Sequence, residues 1–515
     1  MRTQTKRACA RVSCRAISNS TRKIVVAVLV LILSISSTMP VTAGAPYLGY
    51  TFDFWGGVTP APVAYLATRS IMAQDLNTST APYPHTGTVL NAFLTPADLS
   101  VDSNNVIYLL DSGNNRIVIF DQELNLLRVI YGFDNNGEAD TFNRPSGIFV
   151  CYHLNIYIAD TENRRVVILD NDGNLLSMIY NPDLGEIDDA VDFRPQRVVA
   201  DRAGRVYVIV MHVFEGIMRF NEHGEFFGYV GTIDVRVSAA DLFWRWFATQ
   251  AQIDRGSRFI PTEFLGVDID DYGFVFATHA DVIGQGDQVM RLNPRGNNVI
   301  RNFNENINIS GDQRTFVGGP SVFVDVVSRP NGMFSTLDSN RGRIFTYDSE
   351  GNLLYVFGGE GELMGMTRTP AAIDAIGDTI LVLDSTRGRI IYYEPTIYGA
   401  LINEAVGLRY QGNEAASVEI WHEIILINEF NQLAFTGIGR AHLQNGEYVL
   451  AMDYLRRGMD LRYYSIALTR RRQVFVDAYL AYALTAFLVV AIALIGRAVY
   501  RNVKGLNVRE DEVYD

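Results

Sequence analysis

One phrase recurs along the chain. Asp111 is followed five residues later by Arg116, then by the apolar run Ile117-Val118-Ile119-Phe120, which an acid, Asp121, closes. Asp160 and Arg165 open the same arrangement, ending at Asp170. Asp338 and Arg343 open a third copy ending at Asp348, and Asp384 and Arg389 a fourth ending at Glu394. A period of about 50 residues marks one supersecondary unit used repeatedly, and such units bury their faces only against one another.

Each unit starts with a proline a few residues before a short apolar strand. The starts are Pro96, Pro145, Pro195, Pro261, Pro320 and Pro370. A second strand, the Asp-to-Arg phrase and a third strand follow. A turn such as Asp170-Asn171-Asp172-Gly173-Asn174 then leads to a fourth. Four short strands joined by Asn/Asp-Gly turns make an antiparallel meander, and six meanders suit a closed β-propeller. The pattern resembles the NHL repeat family over about residues 91–395. That resemblance implies a mainly β fold, a six-bladed propeller whose sixth blade is closed by the 47–70 stretch. The third and fourth copies lose the Asp and the Arg, which leaves seven blades as the alternative count.

The recurring Asp and Arg read as builders of the unit. Asp at a strand end accepts backbone N–H groups, and an Arg five residues on returns to the same corner.

The two ends are different objects. Residues 1–43 are basic, then apolar through Ile24 to Leu33, and end in Val41-Thr42-Ala43, the layout of a cleaved secretory signal, with an uncleaved signal anchor as the alternative. Near the other end, Ala478 to Gly496 is uncharged and long enough to cross a bilayer as a helix. Export of the N-terminus places residues 44–396, the propeller, outside the cell membrane. It makes 474–500 a single transmembrane helix and 501–515 a cytoplasmic tail. The first 43 residues hold seven Lys/Arg and no acid, which leaves the rest at -20 against -13 for the whole chain. A body so acidic excludes nucleic acid as a partner. Of Cys9, Cys14 and Cys151, only Cys151 follows the signal, so no disulfide or zinc knuckle is expected.

Two segments interrupt or follow the repeats. Residues 233–259 read as a helical insertion, with Leu242-Phe243-Trp244 too apolar for a free helix. Over 397–466 strand patterning stops, and Gly412 and Gly446 stand 34 residues apart. Phe435, Ile438, Gly439, Tyr448 and Ala451 take the large-small-large places of two meshing helices. The segment resembles two tetratricopeptide repeats, which implies protein–protein contact. With only two repeats, it is expected to lean on the propeller or on the transmembrane helix.

No nucleophile elbow, zinc-protease motif or P-loop is present. In a propeller the first strands line the axial channel. The residue two after each proline gives a ring of Asp98, Gly147, Arg197, Glu263, Val322 and Ala372. Asp98, Arg197 and Glu263 are therefore the candidate ligand-binding residues, for a small molecule or a carbohydrate. No cofactor is expected. The alternative is Ca or another divalent cation held by Asp98 and Glu263, as in the gluconolactonase family, with His212 and His279 as weaker metal candidates. The leading expectation is a membrane-held binding and scaffolding protein with a protein partner; the rival is an extracytoplasmic metal-dependent hydrolase.

Overall fold

The structure is a computed structural model that describes residues 44–78, 91–182, 192–232, 263–280, 288–300, 309–312 and 319–511. The signal segment, the 233–259 insertion and Pro261 lie outside the described residues.

The chain folds as a six-bladed propeller followed by five helices among the described residues. Blade 1 is the meander Asp98–Val101, Ile107–Asp111, Arg116–Phe120 and Leu126–Ile130. Blades 2 and 3 repeat it over 147–179 and 195–230. Blade 4 shows three strands, Phe264–Ile269, Val275–His279 and Val289–Leu292. The turns work as their sequences demand. In the Asp170 turn, for example, one carboxylate oxygen accepts the N–H groups of Asp172 and Asn174 at 2.9 and 2.8 Å.

The N-terminal stretch is shared between two blades. Tyr65–Met72 pairs antiparallel with Arg389–Pro395 and is the outer strand of blade 6. Tyr50–Phe52 and Val58–Pro60 instead extend blade 5 beyond Leu353–Gly358. The expected 47–70 closure is thus correct in kind, but only its second half closes the sixth blade.

Closure is visible in the core. Alternating side chains of each strand face opposite neighbours, so every apolar cluster of the propeller lies between two blades. Leu99 and Val118 meet Leu381 and Ile390 between blades 1 and 6, and the sequence of clusters runs on through each consecutive pair of blades. Cys151 is one buried member.

The helices are α1 (Ile397–Tyr410), α2 (Glu414–Ile427), α3 (Gln432–Gln444), α4 (Tyr448–Arg457) and α5 (Leu461–Asp511). Asn413 caps α2 and Asn431 caps α3 through side-chain acceptors. Gly412 and Gly446 both take left-handed φ, +80° and +79°, in the turns after α1 and α3. Close meshing needs Gly437, where a Cβ would collide with the Trp421 indole.

Helices α1 to α3 lean on the propeller. Tyr398, Ile402, Trp421 and Ile438 share one apolar core with Leu337 and Tyr355 of blade 5 and Val382 and Tyr393 of blade 6. Polar contacts lock the seam. Arg409 pairs with Glu350 at 2.7 Å, and Arg440 pairs with the same carboxylate at 3.0 Å. The long helix α5 leaves this layer, and it is the one helix among the described residues long and apolar enough to cross a membrane.

Candidate axial site

The inner strand of each blade is an edge strand, with N–H groups turned to the axis and no further strand to take them. Side chains from the preceding blade take them instead. Asp98 of blade 1 accepts from Ile148 N of blade 2 at 2.9 Å, and Ser100 accepts from Val150 N at 3.1 Å. Asp268 of blade 4 accepts from Ser328 N at 2.6 Å. Asp325 of blade 5 accepts from Ile373 N at 2.9 Å, and Asp374 of blade 6 from Val101 N at 2.7 Å. These carboxylates are clasps between blades before they are anything else.

One cation answers them. Arg197, on the inner strand of blade 3, stands 3.0 Å from Asp98. Its guanidinium also donates to Ser146 O at 2.8 Å and to Ala371 O at 2.9 Å, so it touches blades 1, 2 and 6 at once. Below this plug lies a cup of about 440 Å³ that also exposes Asp268, Asp325 and Asp374. Its mouth carries Asp102, Tyr152, Arg202 and Tyr272, residues at or in the turns that follow the inner strands. The helical layer sits on the same face, over the corresponding turns of blades 5 and 6, where Gln411 meets Asn331 at 3.2 Å and Asn403 meets Asp378 at 3.0 Å.

The structure places Asp98 and Arg197 on the axial ring and brings them together. Glu263 is not on that ring. Pairing of Gly266 with Thr278 matches that of Asp98 with Leu110, so Gly266 holds the position expected for Glu263. Asp325, opposite Leu337, likewise replaces Val322. The inner strands of blades 4 and 5 start three residues further from their prolines than the others, and counting from the proline cannot see it. Asp268, Asp325 and Asp374 were missed as site residues, although each is an acid set inside an apolar first strand, which is the legible signal. His212 and His279, the weaker metal candidates, take different places in their blades. His279 ends the second strand of blade 4, buried against the Phe264 ring, whereas His212 lies two places further on in its blade, exposed in a left-handed turn. No group of three or more His, Cys, Asp or Glu among the described residues is placed to hold a metal ion.

The repeated Asp and Arg do build the corner. Asp111 accepts the N–H of Leu94, in the loop entering the blade, at 2.7 Å, and Arg116 Nε meets its other oxygen at 2.8 Å. Asp160 does the same with Asn143 and Arg165. In blade 6, Asp384 takes Arg368 N and Thr369 N, with Arg389 at 3.5 Å. Blade 5 departs: Asp338 accepts from Val322 N, while Arg343 turns outward to Asp312 and the Tyr50 hydroxyl.

Residues 93–120 match the NHL repeat. This stretch runs from the loop held by Asp111 to the end of the third strand, so the NHL match falls on the corner just described. No curated protein matches the sequence. Solved structures that are similar include virginiamycin B lyase from Staphylococcus aureus, at 11% identity and TM-score 0.34, covering 67% of this chain and 87% of that one. A gluconolactonase from Xanthomonas campestris gives 10% identity and TM-score 0.36, covering 69% and 99%. A Bacteroides thetaiotaomicron protein of unknown function gives 12% and 0.39, covering 66% and 78%. Likeness at this level assigns no activity to this chain.

Burial dominates the charge of the cup. It raises the Asp268 carboxyl to about 6, raises Asp325 despite Arg197, and raises Asp374 well above the ordinary carboxylate range, with Asp268 adding to it. An acid whose folded pKa exceeds its unfolded value favours folding below the ordinary carboxylate range and loses that contribution as pH climbs through the folded value. Stability of the full chain is therefore expected to fall between pH 4 and 7. Asp268 alone accounts for about 2–3 kcal/mol at its shift. Asp268→Asn keeps an acceptor for Ser328 and removes the proton, so urea midpoints of this variant should vary less with pH over that window. An unchanged pH slope would refute the assignment.

Proposed function

We propose that the protein is a membrane-held, extracytoplasmic binding and scaffolding protein. In this reading the axial cup receives a small polar ligand that enters past Asp102 and Arg202 at its mouth and meets Asp98 and Arg197 at its plugged end. The helical layer, two tetratricopeptide-like pairs, contacts a protein partner. The role that fits best is that of an accessory part of a cell-envelope or solute-uptake assembly.

The observation that carries the reading is the state of α5. From Thr469 onward, through the apolar stretch, its described side chains stand almost entirely exposed, and none is buried. A helix as apolar as this is not stable bare in water. The ends of the stretch support a bilayer. Phe475, Tyr479 and Tyr482 lie at one border, and Tyr500 with Lys504 over its ring lies at the other. The same helix begins in contact with α4, so tether and scaffold are continuous.

The experiment is membrane extraction of intact cells. The full chain should resist alkaline wash, a chain lacking Ala478–Gly496 should be released, and external protease should digest the propeller. Release of the full chain, or protection of the propeller, would overturn the reading. Crosslinking then tests the helical layer, whose substitution at exposed Leu426 and Phe430 should erase the main partner band.

A further inference from the structure

The strongest feature outside the propeller is a run of three arginines on α5. Arg470, Arg471 and Arg472 are consecutive and exposed. Consecutive helical residues point about 100° apart, so the three guanidiniums girdle more than half of the helix. Counter-charges on a helix stand three or four residues away. Every such position, within 466–469 and 473–476, holds an uncharged residue. Among the described residues no ion pair involves the three, whereas Arg456 and Arg457 at the end of α4 both close on Asp453 at 2.8 Å. In a body of charge -20, with the first 43 residues set aside, the nearest acid along this helix is Asp477, five residues past Arg472 and outside the pairing positions.

Its position fixes what it can meet. Ala467 is the last residue of α5 buried against the helical layer. The apolar run resumes at Val474, about 10 Å further along the axis at helical rise. The arginines therefore fill the interval of about 10 Å between the body and the apolar run, long enough to hold a headgroup region of about 5–8 Å. An acidic disc above an anionic surface is repelled by it within the Debye length; unpaired guanidiniums at that depth offset the repulsion and bind phosphate oxygens in a fork.

We propose that Arg470, Arg471 and Arg472 form a collar that binds the anionic phospholipid headgroups of the leaflet beneath the propeller. The inference rests on the reading that α5 spans the membrane.

The test uses the full chain and a variant carrying Arg470→Gln, Arg471→Gln and Arg472→Gln together. Both are reconstituted in vesicles of phosphatidylcholine alone, and in vesicles of equal parts phosphatidylcholine and phosphatidylglycerol. Flotation after alkaline wash reads embedding. Mass spectrometry of the lipid retained after mild detergent extraction from the mixed vesicles reads selectivity. Each surface arginine is worth about fivefold, so retained phosphatidylglycerol should be enriched about tenfold or more over phosphatidylcholine for the full chain. It should show little enrichment for the variant, with both proteins embedded in neutral vesicles. Equal enrichment in two embedded proteins overturns the collar alone. Failure of the full chain to embed in neutral vesicles overturns the membrane-spanning reading and the collar with it.

Discussion

Arg197→Ala is expected to lower the stability of the full chain by about 3–5 kcal/mol at neutral pH, the cost of leaving buried charge without its partner. The arginine is the only basic group aimed at the axial acids Asp98 and Asp325 among the described residues. It also satisfies backbone carbonyls of Ser146 and Ala371. Truncation therefore strips two carboxylates of compensation and unties blades 2 and 6 from the plug. The loss should shrink at pH 5, where the raised carboxyls are protonated more readily and need no cation. Combining Arg197→Ala with Asp98→Asn and Asp325→Asn should recover part of the loss at pH 7.5, because Asn still accepts from Ile148 and Ile373. Urea denaturation in detergent followed by tryptophan fluorescence measures all four cases. A loss that is the same at both pH values, and not relieved by the Asn pair, would show that the guanidinium acts by filling space and not by charge.

The contrast between Arg197 and Glu263 shows where sequence reading reached and where it stopped. Strand periodicity, the Asp-Gly turns and the Asp111–Arg116 spacing are local, and each was legible because cause and effect lie within a dozen residues. The clasps are not local. Val101 finds its acceptor at Asp374, and Ile148 finds its acceptor at Asp98, one blade away. No pattern along the chain encodes such a pair until the ring is closed. The register in blades 4 and 5 was lost for a related reason. Their leading loops are longer, and only strand pairing reveals that Gly266 and Asp325 stand level with Asp98. The seam between propeller and helices was legible only as an expectation of contact, since the partners of Arg329 and Asn403 lie far away along the chain.

That seam carries the second large effect. Tyr65 opens the closing strand and is fully buried, with its ring stacked on Phe357 at 4.7 Å. Its hydroxyl accepts from Arg329 at 2.8 Å and from Asn403 of α1 at 2.9 Å. Arg329 is itself wholly buried, donating also to the Tyr355 hydroxyl at 3.0 Å and to Asp378 at 2.9 Å, and Tyr355 donates to Asn403 at 2.7 Å. The network thus joins the N-terminal strand, blades 5 and 6, and the first helix. Tyr65→Ala should cost about 3–5 kcal/mol for the lost aromatic volume. Tyr65→Phe keeps that volume and deletes only the acceptor, so about 1.5–3 kcal/mol is expected, the worth of a hydrogen bond to a charged group. The Phe variant is the sharper test. If the hydroxyl couples closure to the helical layer, limited proteolysis of Tyr65→Phe should cut within 397–466 and within the closing strand at the same rate. Cleavage of the helices alone, at unchanged protection of residues 65–72, would mean that the ring shuts independently of the layer that ties it to α5.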